Sequence, residues 1–197
     1  MAKVISLQDG EEYDGGEIGE VLRNLRRYKN INFYDLSFKS AKMDGLQMEK
    51  SSLRDVRFEN CDLSNSSFED SDWEKIKITN SRLVGMRLNG CKIKELEISG
   101  CLASLSQMRF ADIDKSVFEK TDLHDADFQN SKFVKVKFKG CDLRNVSFLA
   151  ARFKEVDLRE SDIENLIVGK DDISGAIVET SQAFYLLGLL GVSVQDV

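Results

Sequence analysis

The sequence contains no proline in 197 residues. Proline has no backbone N–H and normally punctuates loops and opens helices, so its absence fits a chain in which nearly every N–H is a ladder donor. Histidine and tryptophan occur once each, as His124 and Trp73. The four cysteines, Cys61, Cys91, Cys101 and Cys141, form no C-x-x-C pair and have no neighbouring histidine. That argues against a metal centre. No apolar run approaches the ~20 residues of a membrane helix, and Met1–Gly10 lacks the basic, apolar and small-residue order of a secretory signal. A basic excess is missing too: 28 Lys and Arg stand against 34 Asp and Glu, a net charge of -6. The expectation is a cytoplasmic chain with no membrane span and no direct nucleic-acid partner.

What the sequence does have is a period of five. Every fifth residue from Phe33 to Val178 is apolar, through Phe38, Met43, Leu63, Trp73, Leu88, Ile113, Phe128, Phe148 and Ile163. Hydrophobic residues make up only 42% of the chain, so an unbroken column is a structural signal. Two residues before each central position runs a column of small or aliphatic side chains, among them Ala41, Ser51, Val56, Cys61, Ser81, Cys101 and Thr121. Two residues after it, sixteen of the twenty-nine sites from Asp35 to Gly175 are Gly, Asn or Asp, the types that tolerate positive φ. Each pentapeptide therefore reads as a short strand followed by a corner. Neither a 3.6-residue helix nor a flat two-residue strand keeps every fifth residue on one side over such a length.

Stretches such as Cys61-Asp62-Leu63-Ser64-Asn65, Thr121-Asp122-Leu123-His124-Asp125 and Ala126-Asp127-Phe128-Gln129-Asn130 resemble the pentapeptide-repeat family. The resemblance implies an all-β solenoid, a right-handed quadrilateral β-helix with four pentapeptides per coil. Residues 31–178 would then form about seven and a half coils, a rod of about 36 Å at ~4.8 Å per strand. Residues 1–30 are expected to form an N-terminal segment with a helical cap over Glu20–Lys29, striped by Val21, Leu22, Leu25 and Tyr28. Residues 179–197 are expected to hold a helix N-capped by Thr180 or Ser181 and running to Leu190, then a strand-like Val192-Ser193-Val194.

That C-terminal helix is apolar nearly all round, so covering the last coil leaves apolar surface over. Residues Ile173–Ala176 and Gln182–Val192 are similar to the tail of the Qnr and MfpA group of pentapeptide proteins. The similarity implies an end-to-end homodimer through Phe184, Tyr185, Leu187, Leu189 and Leu190.

No residue pattern points to catalysis or to a cofactor. Gly15-Gly16 has neither the Lys-Ser/Thr of a phosphate loop nor the spacing of a dinucleotide fingerprint. Under four-per-coil stacking, Cys61, Cys101 and Cys141 lie two coils apart, about 10 Å and beyond disulfide reach, so they read as small core thiols. Trp73 reads as core, and His124 as a surface residue beside Asp122 and Asp125. The same stacking puts Asp62, Asp122, Asp142 and Asp162 on one outer line, with Asp125 and Glu164 alongside and Arg82 and Leu102 interrupting. The face is either simply solvated or a contact surface. The Qnr and MfpA resemblance implies the latter, a DNA-mimicking rod that binds DNA gyrase or topoisomerase IV and protects it from quinolones or a toxin. The alternative is an adaptor for a different protein. A second candidate contact is Cys101–Phe110, where Leu105 and Phe110 fall on outward sites. The coil is expected to distort and tuck one of them inside; left exposed, they would mark a contact.

Overall fold

The computed structural model describes residues 2–22 and 27–192. Its backbone is a parallel β-solenoid of about eight turns. The register is set at twenty residues: Tyr13 pairs with Phe33, Phe33 with Leu53, Leu53 with Trp73, Trp73 with Ile93, and so on through Ile113 and Phe133 to Phe153. Four pentapeptides therefore complete one turn, and each apolar column position sits above its counterpart in the next.

The corners impose the square. Every fifth residue from Asn30 to Asn165 has φ between +47° and +70°. A left-handed residue at that spacing turns the chain after each three-residue strand. The first two faces, around Phe33 and Phe38, carry regular strand ladders. The third, around Leu63, is held by single bridges from Lys42 through Asp62, Arg82, Leu102, Asp122 and Asp142 to Asp162. The fourth begins as a strand ladder at Arg27–Lys29, Gln47–Glu49 and Ser67–Glu69 and continues as bridges to Ile167.

The interior is filled. The central column from Phe33 to Phe148 is buried throughout, and three pairs of rings one turn apart lie nearly parallel, Phe38 on Phe58 at 5.0 Å, Phe118 on Phe138 at 4.8 Å and Phe128 on Phe148 at 5.1 Å, whereas Phe133 and Phe153 meet edge to face. These distances match the spacing of stacked strands. The small column has a polar duty. Ser71 Oγ accepts from the Ser51 N–H, Ser81 Oγ from Cys61, Ser131 Oγ from Ala111 and Ser161 Oγ from Cys141. Buried N–H groups that would otherwise cost free energy are thereby satisfied by the turn that follows.

The described residues of the expected N-terminal helix are strand instead. Strand β1 spans Lys3–Ser6, β2 spans Glu12–Leu22 and β3 spans Arg27–Lys29, while Leu25 lies outside the described residues. Tyr13, Ile18 and Tyr28 continue the five-residue column upstream of Phe33, and Ile18 and Tyr28 are buried in it. The repeat captures the segment that a helical stripe had claimed, so the rod starts earlier than residue 31. Its end is covered by β1, which pairs with β2 over a narrower turn, and by the buried Leu7.

At the other end α1 spans Thr180–Leu187 and passes into a short 3₁₀ turn, Gly188–Leu190. The N-cap is Glu179, in a reciprocal capping box with Gln182, and not Thr180 or Ser181. Val192 is irregular; Ser193 and Val194 lie outside the described residues. Gln182 is itself buried, and its Nε2 donates to the carbonyls of Leu158 and Ser161, both at 2.7 Å. Those carbonyls are thereby paired beneath the helix. Replacing Gln182 by Ala should cost about 1–3 kcal/mol, and hydrogen exchange should rise in residues 156–168 while the turns around Trp73 keep their protection. Uniform loss of protection along the rod would contradict nearest-neighbour stability.

Candidate functional site

On the third face the outer column reads Lys42, Asp62, Arg82, Leu102, Asp122, Asp142, Asp162, each bridged to the next. The structure thus brings Asp122, Asp142 and Asp162 together on consecutive turns, whereas Asp62 is set apart by Arg82 and Leu102. Asp125 occupies a corner at φ 58°, and Glu164 stacks in the column of His124 and Arg144.

These aspartates have a local task. Asp62 Oδ1 accepts from the Ser64 N–H, Asp122 Oδ1 from His124, Asp142 Oδ1 from Arg144 and Asp162 Oδ1 from Glu164, at 3.0–3.2 Å. An Asx turn of this kind shapes the corner that follows. It recurs off this face at Asp127 with Gln129 and Asp157 with Arg159, so turn formation alone accounts for an Asp at this position.

The negative charge is also uneven. Arg144 grips Asp142 with Nε on Oδ1 at 2.9 Å and Nη2 on Oδ2 at 2.5 Å, and its Nε lies 3.8 Å from Asp162. The guanidinium hydrogen bond holds the Asp142 carboxyl below the usual carboxylate range and pushes Arg144 up in turn. Partial burial would lift the Asp62 carboxyl, but hydrogen bonds from Ser64 and the charges of Arg82 and Lys42 leave it lowered. His124 Nδ1 lies 2.6 Å from Asp122 Oδ1. Outside such pairs stand Asp125, which has only the His124 ring nearby, at 3.9 Å, and Glu164, which has no ion pair among the described residues. Arg144 thus neutralises part of the aspartate line, a pairing that a column of outward acidic residues does not reveal.

Ligand atoms of Asp122, His124 and Asp142 lie within 4.8 Å of one another. A cation there would have to displace both the His124–Asp122 contact and the Arg144 fork, so the donors are already matched by protein groups. The cysteines are free and buried, and burial pushes the Cys91 thiol up to about 12 and Cys141 up to about 11. Cys91 Sγ donates to the Phe68 carbonyl at 2.9 Å, which makes these thiols part of the core. Trp73 is buried as the column requires. A groove of about 470 Å³ runs over Trp73 and Ile93 on the first face. Its walls are ion-paired ladders such as Arg54–Glu74–Lys94.

The Cys101–Phe110 coil is not distorted. Its corners keep the regular geometry, and neither apolar side chain turns inward: Leu105 is 55% and Phe110 65% exposed. The backbone register fixes each fifth residue at a corner, and a corner side chain has no route to the filled interior. Leu149 and Ile167 on the fourth face are exposed as well; the same column reading assigns them outward positions.

Two sequence profiles of one family match the chain, one described as "Pentapeptide repeat region" over residues 21–88 and one as "Pentapeptide repeats (9 copies)" over residues 113–162. The chain belongs to the pentapeptide-repeat family. Among solved pentapeptide-repeat structures, it is similar to QnrB1, a plasmid-mediated fluoroquinolone resistance protein, at 21% identity and a TM-score of 0.46, over 98% of this chain and 99% of that one. It is also similar to HetL, a pentapeptide-repeat protein involved in heterocyst differentiation regulation from the cyanobacterium Nostoc, at 14% identity and a TM-score of 0.37, covering 88% and 89%. No curated protein matches it in sequence.

Because Arg144 lowers the Asp142 pKa, the pair stabilises the fold above the ordinary carboxylate range, roughly pH 4, and that contribution fades as pH falls through the depressed native value. In Arg144→Gln the Asp142 carboxyl should titrate upward toward its ordinary value in a carboxyl NMR titration. An unmoved titration would remove Arg144 as the neutralising group.

Proposed function

We propose that this protein is a non-enzymatic protein-binding solenoid, acting in the cytoplasm, that presents its third face to DNA gyrase or topoisomerase IV and so protects the enzyme from quinolones or a related toxin. The observation that carries the reading is the pairing of a filled, ion-laddered rod with one locally acidic stretch, Asp122, Asp125, Asp162 and Glu164. A side-chain-filled rod offers surface and no reaction chamber, so its work is recognition. The identity of the partner rests on the sequence resemblance to the Qnr and MfpA group.

Mimicry here works through shape and a local patch. Duplex DNA carries one charge per ~1.7 Å, about twenty over 36 Å, and the whole third face carries far fewer. The Asx turns and Arg144 favour a second reading as well, an adaptor for a different protein, because they give several of these carboxylates duties within the fold.

A homodimer through the C-terminal helix belongs to the same proposal. Phe184 and Tyr185 are 58% and 54% exposed on α1. An apolar groove of about 240 Å³ lies between Ile173, Ala183, Leu186, Leu187 and Leu189, with Lys170 also lining it. The side chain of Leu190 lies outside those described.

In a supercoiling assay with ciprofloxacin, added protein should restore gyrase activity; indifference across a wide concentration range would eliminate the gyrase reading. The Asp122→Asn, Asp125→Asn, Asp142→Asn and Asp162→Asn combination keeps the turn-forming oxygen while removing the charge, so it should lose rescue with the fold intact. Leu187→Asp should halve the mass measured by light scattering, because a dimer would bury that charge. An unchanged mass would place the interface elsewhere.

A further inference from the structure

A corner with positive φ costs any residue that carries a Cβ and suits Gly, Asn or Asp. From Asn30 to Asn165 sixteen of the 28 corners carry one of those three, and ten more carry Ser, Ala, Lys or Glu. The remaining two are Leu105 at φ 59° and Phe110 at φ 56°, consecutive corners of one coil. Both also face water. A corner Lys or Glu at least hydrates its charge. Leu and Phe gain nothing there from backbone or from solvent.

Their surroundings keep them uncovered. Gly85 and Gly90 hold the stacked corners of the preceding coil, with N–H groups bonded to the Ser104 and Arg109 carbonyls, so that coil lays no side chain over Leu105 or Phe110; the following coil stacks Asp125 and Asn130 beneath them. Leu102, exposed on the bridge column between Arg82 and Asp122, adjoins Leu105 on the third face, while the strip of fourth face between the two corners carries Gln107 and Arg109, whose charge is matched by Asp127 at 3.0 Å. The following coil borders the Leu105 corner with Asp122 and Asp125.

We infer that Leu105 and Phe110 are the paired anchors of the docking site, retained at a cost to the fold, and that they insert into an apolar groove with a cationic rim on a protein partner. The occupant follows from charge complementarity: the Leu105 corner borders the third face where the next coil carries Asp122 and Asp125, which among the described residues have only the His124 ring within ion-pair distance. Bulky apolar anchors ringed by polar contacts are how protein interfaces concentrate binding energy. The inference rests on the protein-binding reading above and assigns its centre to the corners rather than to the aspartates.

The test uses Leu105→Asn, Phe110→Asn and the double variant, since Asn accepts positive φ, with purified DNA gyrase and ciprofloxacin as the probe. Each substitution should raise the melting temperature by about 2–4 °C through relief of backbone strain, while the double variant needs at least tenfold more protein for half-maximal rescue. Unchanged or lower melting temperatures would assign both residues to the fold and overturn the inference. Higher melting temperatures with undiminished rescue would overturn it while leaving the gyrase reading standing. No rescue by the unaltered protein would sink the gyrase reading and this assignment together.

Discussion

The structure hangs on a backbone constraint at the corners: a left-handed residue every five positions, held in a parallel twenty-residue register. From it follow the square section, the alignment of the apolar column and the stacking of aromatic rings. The absence of proline follows too, since a corner needs positive φ and a strand position needs its N–H. The same constraint explains the serine and cysteine column, whose side chains meet the N–H groups that the preceding turn directs inward. Stability then accumulates between neighbouring turns, each supplying both ring contacts and hydrogen-bond partners to the next.

Surface chemistry on such a scaffold is never free of the scaffold. Asp122, Asp142 and Asp162 shape their corners with one carboxylate oxygen, and in Asp142 the other is held by Arg144. An aspartate line is therefore compatible with no partner at all, and the distribution of counter-charges decides which part of it projects a field. Arg144 quenches the middle of the line, leaving Asp125 and Glu164 as the clearer features. At the C-terminal end Gln182 is buried against the last coil, while Phe184 and Tyr185 are largely exposed.

The rod was legible in the sequence because its signal is repeated some thirty times and every copy obeys the same geometry. The twenty-residue turn itself came from family resemblance, since a period of five does not say how many corners close a coil. The N-terminal segment is ambiguous in sequence because Val21, Leu22 and Tyr28 satisfy a helical stripe and, for Tyr28, the five-residue column at once; packing onto the next turn decides between them. The general rule that apolar side chains are buried favours tucking Leu105 or Phe110 inside, but the corner backbone leaves neither such a path. Pairings such as Arg144 with Asp142 depend on rotamers that a column of letters does not contain.

The twenty-residue register also restricts how such a chain can diverge. Loss or duplication of one whole coil shortens or lengthens the rod and leaves all four faces in line. Gain of a single pentapeptide rotates everything after it by a quarter turn, carrying the acidic stretch onto a neighbouring side. A lineage can therefore redirect its contact surface in one genetic event without altering a single core contact type, which makes insertion length, more than point substitution, the currency of change in this architecture.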